Sequence, residues 1–192
     1  MNKILVLAGP SAVGKTTVME KLLSQNPSFE YIRSATTRAP RGDGHDSEYI
    51  YLSVDEFKSM IENGGVLEYT EYGGNFYGTP TSEIERIFKC GKVPMLILDI
   101  NGVKTLKSAT QGFRVVAMYI TTDSEVLDKR LYERFVAAGK TESAARVYKM
   151  RREQNRKDLE SLSSLTGVFD AFVENTTPDE TASKILSLFE SV

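Results

Sequence analysis

The sequence predicts an α/β fold, a parallel sheet covered by helices on both faces, and three observations lead there. Short apolar runs alternate with stretches of helical periodicity. The first run feeds a glycine-rich turn that opens onto a helix. Residues 34–89 then break the rhythm with Gly-rich turns and clustered Tyr and Phe, the texture of an inserted lobe.

In chain order, Ile4 to Ala8 is an uninterrupted apolar run closed by Gly9-Pro10, and Thr16 to Gln25 carries Val18, Leu22 and Leu23 at helical spacing, giving strand, loop, helix. Within the inserted stretch Tyr49-Ile50-Tyr51-Leu52 reads as a strand, and Ser53-Val54-Asp55-Glu56 is a capping box that starts a short helix. Cys90 followed by Gly91 marks a helix end. Val93 to Ile100, interrupted at Pro94 and Asp99, and Val115 to Ile120 read as buried parallel strands. The second leads into Thr122-Asp123-Ser124-Glu125 and a helical pattern through Phe135. A polar helical stretch runs from Glu142 to Leu162, and Val168 to Val173 reads as a last strand. Thr177-Pro178-Asp179-Glu180 then combines a capping Thr, Pro at the first helical position and Glu at the third, ahead of a helix with Ile185, Leu186, Leu188 and Phe189. Ligands of such sheets bind at the carboxyl ends of the strands.

A length of 192 residues suits one domain with elaborations, and 41 % hydrophobic with 26 % charged residues excludes wholesale disorder. Lys and Arg number 24 against 26 Asp and Glu, a net charge of −2, so no global positive field draws the chain to nucleic acid or to an anionic membrane. Any polyanion must be met by a local cluster. The lone Cys90 forms no internal disulfide, and with the lone His45 it leaves little for a zinc site. The apolar run Ile4 to Ala8 is shorter than a signal-peptide core and far short of a membrane span. The expectation is a cytoplasmic protein, monomer or homodimer, without nucleic-acid or membrane partners.

The local cluster begins at Gly9-Pro10-Ser11-Ala12-Val13-Gly14-Lys15-Thr16, with Thr17 following, which fits G-x-x-x-x-G-K-[ST] in its required place between strand and helix. Small residues let successive N–H groups curl around an anion, and the helix N-terminus adds partial positive charge. Lys15 is then placed for the β- and γ-phosphates and the Thr16 hydroxyl for Mg2+, so MgATP is the expected co-substrate and magnesium the cofactor. Further on, Ser34-Ala35-Thr36-Thr37-Arg38-Ala39-Pro40-Arg41 sets two guanidinium groups three residues apart, a pair suited to a phosphate monoester. Asp99 ends an apolar strand, where an acid beside the phosphate loop can hold magnesium-bound water and where a turn Asp is also common.

With GPSAVGKTT, SATTRAPR, the VLEYTEYGGNFYGT segment and LILDI in order, the chain resembles the guanylate kinases, ATP:GMP phosphotransferases of the nucleoside monophosphate kinase group. The resemblance is tight from residue 3 to about 107 and looser beyond. It implies a P-loop NTPase-type parallel-sheet core (1–33, 90–129, 153–192), an inserted mixed α+β GMP-binding lobe at 34–89 and a helical lid at 130–152. By position it implies that Arg38 and Arg41, with Tyr49 and Tyr77, hold the acceptor phosphate, while Ser34, Glu68 and Thr79 read the guanine base. Lid arginines meet the transferring phosphoryl group, Arg134 matching the first end while Arg146 and Arg151 compete for the second. Asn175 matches an Asn near the adenine pocket. The chain departs from the family at Ala12, where Gly is usual, at Asp43 in a shortened 42–48 loop, and at Asn101-Gly102 after Asp99, where a second acid is missing.

The implied reaction is transfer of the γ-phosphoryl group of MgATP to GMP, and also to dGMP, giving ADP and GDP. Two other readings share the phosphate loop or the lobe: a catalytically silent binding module, and a kinase acting on a phosphorylated sugar. The intact Gly14-Lys15-Thr16 argues against the first, and the coexistence of Ser34, Glu68 and Thr79 against the second.

Overall fold

The computed structural model describes residues 1–40, 42, 46–109, 112–137 and 141–192. A five-stranded sheet has the order β2-β7-β1-β8-β9, from β1 (Asn2–Ala8), β2 (Phe29–Tyr31), β7 (Val93–Ile97), β8 (Phe113–Thr121) and β9 (Ala171–Glu174). The β2–β7 and β8–β9 pairs run parallel. Ile4 to Ala8 and Val116 to Ile120 are buried without interruption, which is the burial of strands covered on both faces. No helix among the described residues is long and apolar enough to cross a membrane.

The chain divides into two compact units. One, Met1–Val6 with Asn26–Val115, contains a second, four-stranded sheet of order β4-β3-β6-β5. Its strands are β3 (Ser34–Thr36), β4 (Tyr49–Tyr51), β5 (Val66–Tyr72) and β6 (Asn75–Pro80). β3 pairs parallel with β4 and antiparallel with β6, which pairs antiparallel with β5. The β5–β6 register shifts between Val66 and Tyr69: Val66 pairs with Pro80, Tyr69 with Gly78. Helix α2 (Val54–Glu62) is started by the expected capping box and buries Phe57, whose ring stacks on Phe76 at 5.4 Å and meets Tyr69 edge-on at 6.4 Å. A Cβ at Gly78 would lie 2.8 Å from Val66 Cγ1 and 3.0 Å from the Phe57 ring, so glycine lets helix and sheet close. Cutting Phe57 to alanine costs about 3–5 kcal/mol.

Helices α3 (Thr81–Lys89) and α4 (Ile100–Ala109) complete this unit. Here the buried Glu83 binds Arg33 and Arg86, and Glu30 binds Arg86 and Lys92, at 2.7–3.0 Å. The Arg33 and Arg86 guanidinium groups hold the Glu83 carboxyl down to about 2. The expected strand to Ile100 ends at Ile97, because the Asp99 carboxylate accepts from Gly102 N at 2.7 Å and so starts α4 at Ile100.

The second unit, Leu7–Gln25 with Val116–Val192, holds α1 (Lys15–Gln25), α5 (Ser124–Tyr132), α6 (Glu142–Glu160) and α7 (Pro178–Ser191). Asp123 caps α5, and Thr177 with Pro178 starts α7, which packs on α1. α5 runs on into a π-helical turn at Glu133–Ala137. Strand β9 begins at Ala171, later than the apolar pattern suggests, because Val168 and Phe169 still bond back to Leu165 at the end of a 3-10 turn. Asp170 then exchanges hydrogen bonds with Ala117 to open the pairing.

Candidate active site

Within the second unit, the turn between β1 and α1 wraps one wall of a cavity of about 460 Å3 lined by Ser11, Ala12, Gly14, Lys15, Thr16, Thr17, Arg130, Arg134, Asn175 and Pro178. Its backbone is held from several sides. Lys15 Nζ donates to the carbonyls of Gly9 and Pro10, both at 2.8 Å. The Val13 carbonyl accepts from Asn175 Nδ2 at 2.6 Å and from Arg130 at 3.3 Å, and the Thr181 hydroxyl fixes the other end of the Asn175 amide at 3.0 Å. Gly14 has φ +101°, and a Cβ there would lie 2.6 Å from Asn175 Nδ2, so only glycine admits the buried amide beneath the loop. Ala12 has φ +66°, the one non-glycine residue of positive φ among the described residues. A left-handed L-residue costs about 1–2 kcal/mol, and the loop carries that strain in place of the expected Gly.

Positive charge converges on this loop. Burial, the nearby Arg151 and, more weakly, Arg134 lower the Lys15 ammonium to about 8, against the opposing pull of Asp158. An amine so placed is short of negative charge, and a polyphosphate supplies it. The two candidates for the second lid arginine separate here. Arg151 acts on Lys15, whereas Arg146 is exposed and tied to Glu142 at 2.6 Å.

In the first unit, the four-stranded sheet gathers residues far apart in sequence into one row. Tyr49 on β4 is the register partner of Ser34 on β3. The β3–β6 register, Ala35 with Gly78 and Thr36 with Tyr77, continues to set Ser34 level with Thr79. The Thr79 hydroxyl donates to Glu68 Oε1 at 2.6 Å, carrying the row to β5. Tyr77 and Tyr51 lie two residues from Thr79 and Tyr49 along their strands and so share the row's face. Thr79 is fully buried and Glu68 6 % exposed. Burial raises the Glu68 carboxyl pKa, assisted by the nearby Asp99 and opposed by the Thr79 hydrogen bond. Gly102 separates the two acids: a Cβ there would lie 3.4 Å from both Asp99 Oδ1 and Glu68 Oε2.

At the far end of β3 the Thr36 hydroxyl accepts from Arg38 N at 3.1 Å. The Arg38 guanidinium lies 5.2 Å from the ring centre of Tyr49 and 5.9 Å from that of Tyr51, with Asp46 at 3.9 Å. Tyr51 in turn donates to Asp46 Oδ1. Tyr51 and Asp46 were not singled out by sequence reasoning, although the Tyr-x-Tyr alternation already sets Tyr51 beside Tyr49 on one face. Arg41 and Asp43 lie outside the described residues.

A glycine-rich turn carrying Lys15 thus lies in one unit and a row of phenols, an arginine and a buried carboxylate in the other. The family described as guanylate kinase matches residues 1–192. This chain belongs to the guanylate kinase family. Guanylate kinases from Prochlorococcus marinus and Lactobacillus johnsonii are 33 % and 35 % identical, covering 99 % and 98 % of this chain and 98 % and 88 % of their own. The crystal structure of guanylate kinase from Anaplasma phagocytophilum aligns with TM-score 0.71 at 25 % identity, covering 99 % of this chain and 85 % of that one. The fold is accordingly the parallel-sheet core flanked by helices expected from the sequence.

Against the guanylate kinase pattern, the second unit brings Lys15, Thr16, Arg134 and Asn175 to one cavity, with Arg130 as an addition. Asn175 lines that cavity, but its amide is engaged by Val13 and Thr181. Ser34, Tyr49, Glu68, Tyr77 and Thr79 share one face of one sheet, with Arg38 at its end. Asp99 uses one oxygen as a helix cap beside Glu68. Arg146 joins neither group.

Proposed function

We propose that this chain transfers the γ-phosphoryl group of MgATP to GMP, and to dGMP, forming ADP and GDP. The observation that carries the reading is the buried Glu68–Thr79 pair. Guanine presents its N1–H and exocyclic amine as adjacent donors, which one carboxylate accepts together. Adenine has a lone pair at N1, which would face a buried carboxylate oxygen where guanine offers a donor, a mismatch that supports discrimination on the order of 10^4. A kinase for a phosphorylated sugar has no use for this pair, and a silent binding module has none for a lysine seated in the phosphate loop.

In this reading Ser34, Glu68 and Thr79 read the base, while Arg38, Arg41, Tyr49 and Tyr77 hold the acceptor phosphate. Lys15 and the loop of residues 9–17, through backbone N–H groups that follow Ser11, hold the ATP phosphates, and Arg134 with Arg151, rather than Arg146, neutralises the group in transit. The acceptor lobe is residues 34–89 and the lid 130–152, on a core formed by the rest. Magnesium favours hard oxygen ligands and keeps several waters; the Thr16 hydroxyl would hold it directly, and Asp99 is the acid proposed for its bound water. The ion, when bound, offsets the phosphate charge. An oxygen of the GMP phosphate attacks the γ-phosphorus in line as the ADP oxygen leaves, so no covalent enzyme intermediate forms, and catalysis comes from positioning and charge neutralisation. ATP and GMP are intracellular substrates, in keeping with the cytoplasmic compartment expected for a chain with one cysteine.

The test is ADP release with MgATP and GMP, dGMP, AMP, CMP, UMP or dTMP. Release with the two guanine nucleotides alone is expected. Equal rates with AMP and GMP, or no acceptor-dependent release, would overturn the proposal.

A further inference from the structure

Helix α6 is polar along its length, and Asn155 is its one buried residue among those described. Asparagine is a poor helix former in mid-helix, and a buried amide must find partners for both its ends. One residue supplies both. Asn155 Oδ1 accepts from Ser11 N at 2.7 Å, and Asn155 Nδ2 donates to Ser11 O at 3.0 Å, so the side chain pairs with the loop backbone as a neighbouring strand would. Ser11 immediately precedes Ala12, whose left-handed conformation is strained for an L-residue. Arg151 and Asp158 lie one turn before and nearly one turn after Asn155, on the same side of α6, and both act on Lys15.

We propose that Asn155 is a positioning residue for ATP: by locking both backbone groups of Ser11 it holds the phosphate loop on its path through left-handed Ala12, aiming the amides that follow at the nucleotide phosphates. The inference rests on the reading of the loop as the ATP site. The clamp also fixes the rotation of α6 about its axis, and with it the face that carries Arg151. Glycine at position 12 would adopt the loop conformation without strain, so the clamp matters less when that residue is Gly.

Four proteins test this: the parent, Asn155→Ala, Ala12→Gly and the double variant. Each is compared for KM toward ATP, KM toward GMP at saturating ATP, ATP affinity by calorimetry, and melting temperature. Asn155→Ala is expected to weaken ATP about tenfold, the scale of a buried backbone group left unpaired, with KM for GMP within twofold. Adding Ala12→Gly is expected to restore at least half of that loss on a logarithmic scale. Unchanged ATP affinity in Asn155→Ala, an equal rise in both KM values, or a fall in melting temperature alone would overturn the proposal, as would strict additivity of the two substitutions. Should Asn155→Ala not fold, Asn155→Gln keeps the polarity but carries its amide one methylene too far, and the same selective loss of ATP affinity is expected. Calorimetry separates the two readings: a parent protein that binds ATP but does not phosphorylate GMP refutes the assigned reaction and leaves the clamp to be judged on affinity.

Discussion

Replacing Glu68 by glutamine changes one oxygen for an amide nitrogen in a pocket that is 6 % exposed and already supplied with one hydroxyl donor, that of Thr79. In the proposed complex the carboxylate accepts from two guanine donors. Glutamine keeps one neutral acceptor and turns an NH2 group toward the other donor. One charge-assisted hydrogen bond is lost and the other reduced to a neutral one; at about 1.5–3 kcal/mol for a bond to a charged group, the loss is about 3 kcal/mol, roughly 150-fold in kcat/KM for GMP. Stability moves the opposite way. Burial raises the Glu68 pKa above the 4.5 of a free side chain, so the folded state binds the extra proton between those two values. Stability therefore falls as pH rises through that window, and the penalty stays in place above it. Glutamine carries no such penalty, so Glu68→Gln is expected to melt higher than the parent at pH 7.5 while using GMP poorly and ATP normally. Steady-state kinetics with each substrate varied, beside thermal melts, decide it. Unchanged GMP kinetics, or a lower melting temperature accompanying equal losses for both substrates, would refute the role given to this carboxylate.

Lys15→Ala is expected to lower kcat by at least ~10^3 without lowering the melting temperature at pH 7, because the folded protein already disfavours that buried charge; a protein that keeps a tenth of parental kcat would remove Lys15 from the mechanism. With its pKa lowered to about 8, the Lys15 amine loses its proton as pH rises through that value, so kcat/KM for ATP should fall there; a profile flat to pH 9.5 contradicts this. Arg151→Ala should reduce kcat on the order of 100-fold, whereas Arg146→Ala should stay within twofold and remove only an exposed ion pair; the reverse ranking would exchange their roles. For Ala12→Gly, relief of a left-handed alanine outweighs the added freedom of the unfolded chain by about 0.5–1 kcal/mol, a rise of about 2 °C in melting temperature; a fall on calorimetric scanning would show that the loop is not strained at that residue.

What the sequence made legible was local. The glycine-rich turn between β1 and α1, the Ser53 capping box and the Thr177-Pro178 helix start are each written within a few residues, and each stands where expected. Strand ends are less legible where an apolar residue serves another element: Ile100 stands just beyond the apolar run Met95 to Leu98 but opens a helix, because Asp99 before it is a cap. The row Tyr49–Ser34–Thr79–Glu68 draws on four strands whose order is set by long-range pairing, so alternation indicated which side chains share a face but not which strands are neighbours. Asn155 gave no signal, being one polar residue within a polar helix. Arg146 and Arg151 are told apart by spacing: five residues turn a helix by about 140° beyond a full turn, so the two stand on different faces of α6.

The register shift in β5 has a consequence for how such a site changes over generations. In an unbroken strand Val66 and Glu68 would share a face and Tyr69 would oppose them. With the shift, Val66 and Tyr69 both turn toward Phe57 and the position of Gly78, leaving Glu68 to the opposite face with Thr79. Neighbouring residues thus answer to separate selective demands, one for packing and, in the proposed reaction, one for the identity of the base. A lineage altering its nucleotide preference can exchange the acid without rebuilding the apolar side, whereas deletion of a single residue between Val66 and Tyr69 would confound the two demands at once.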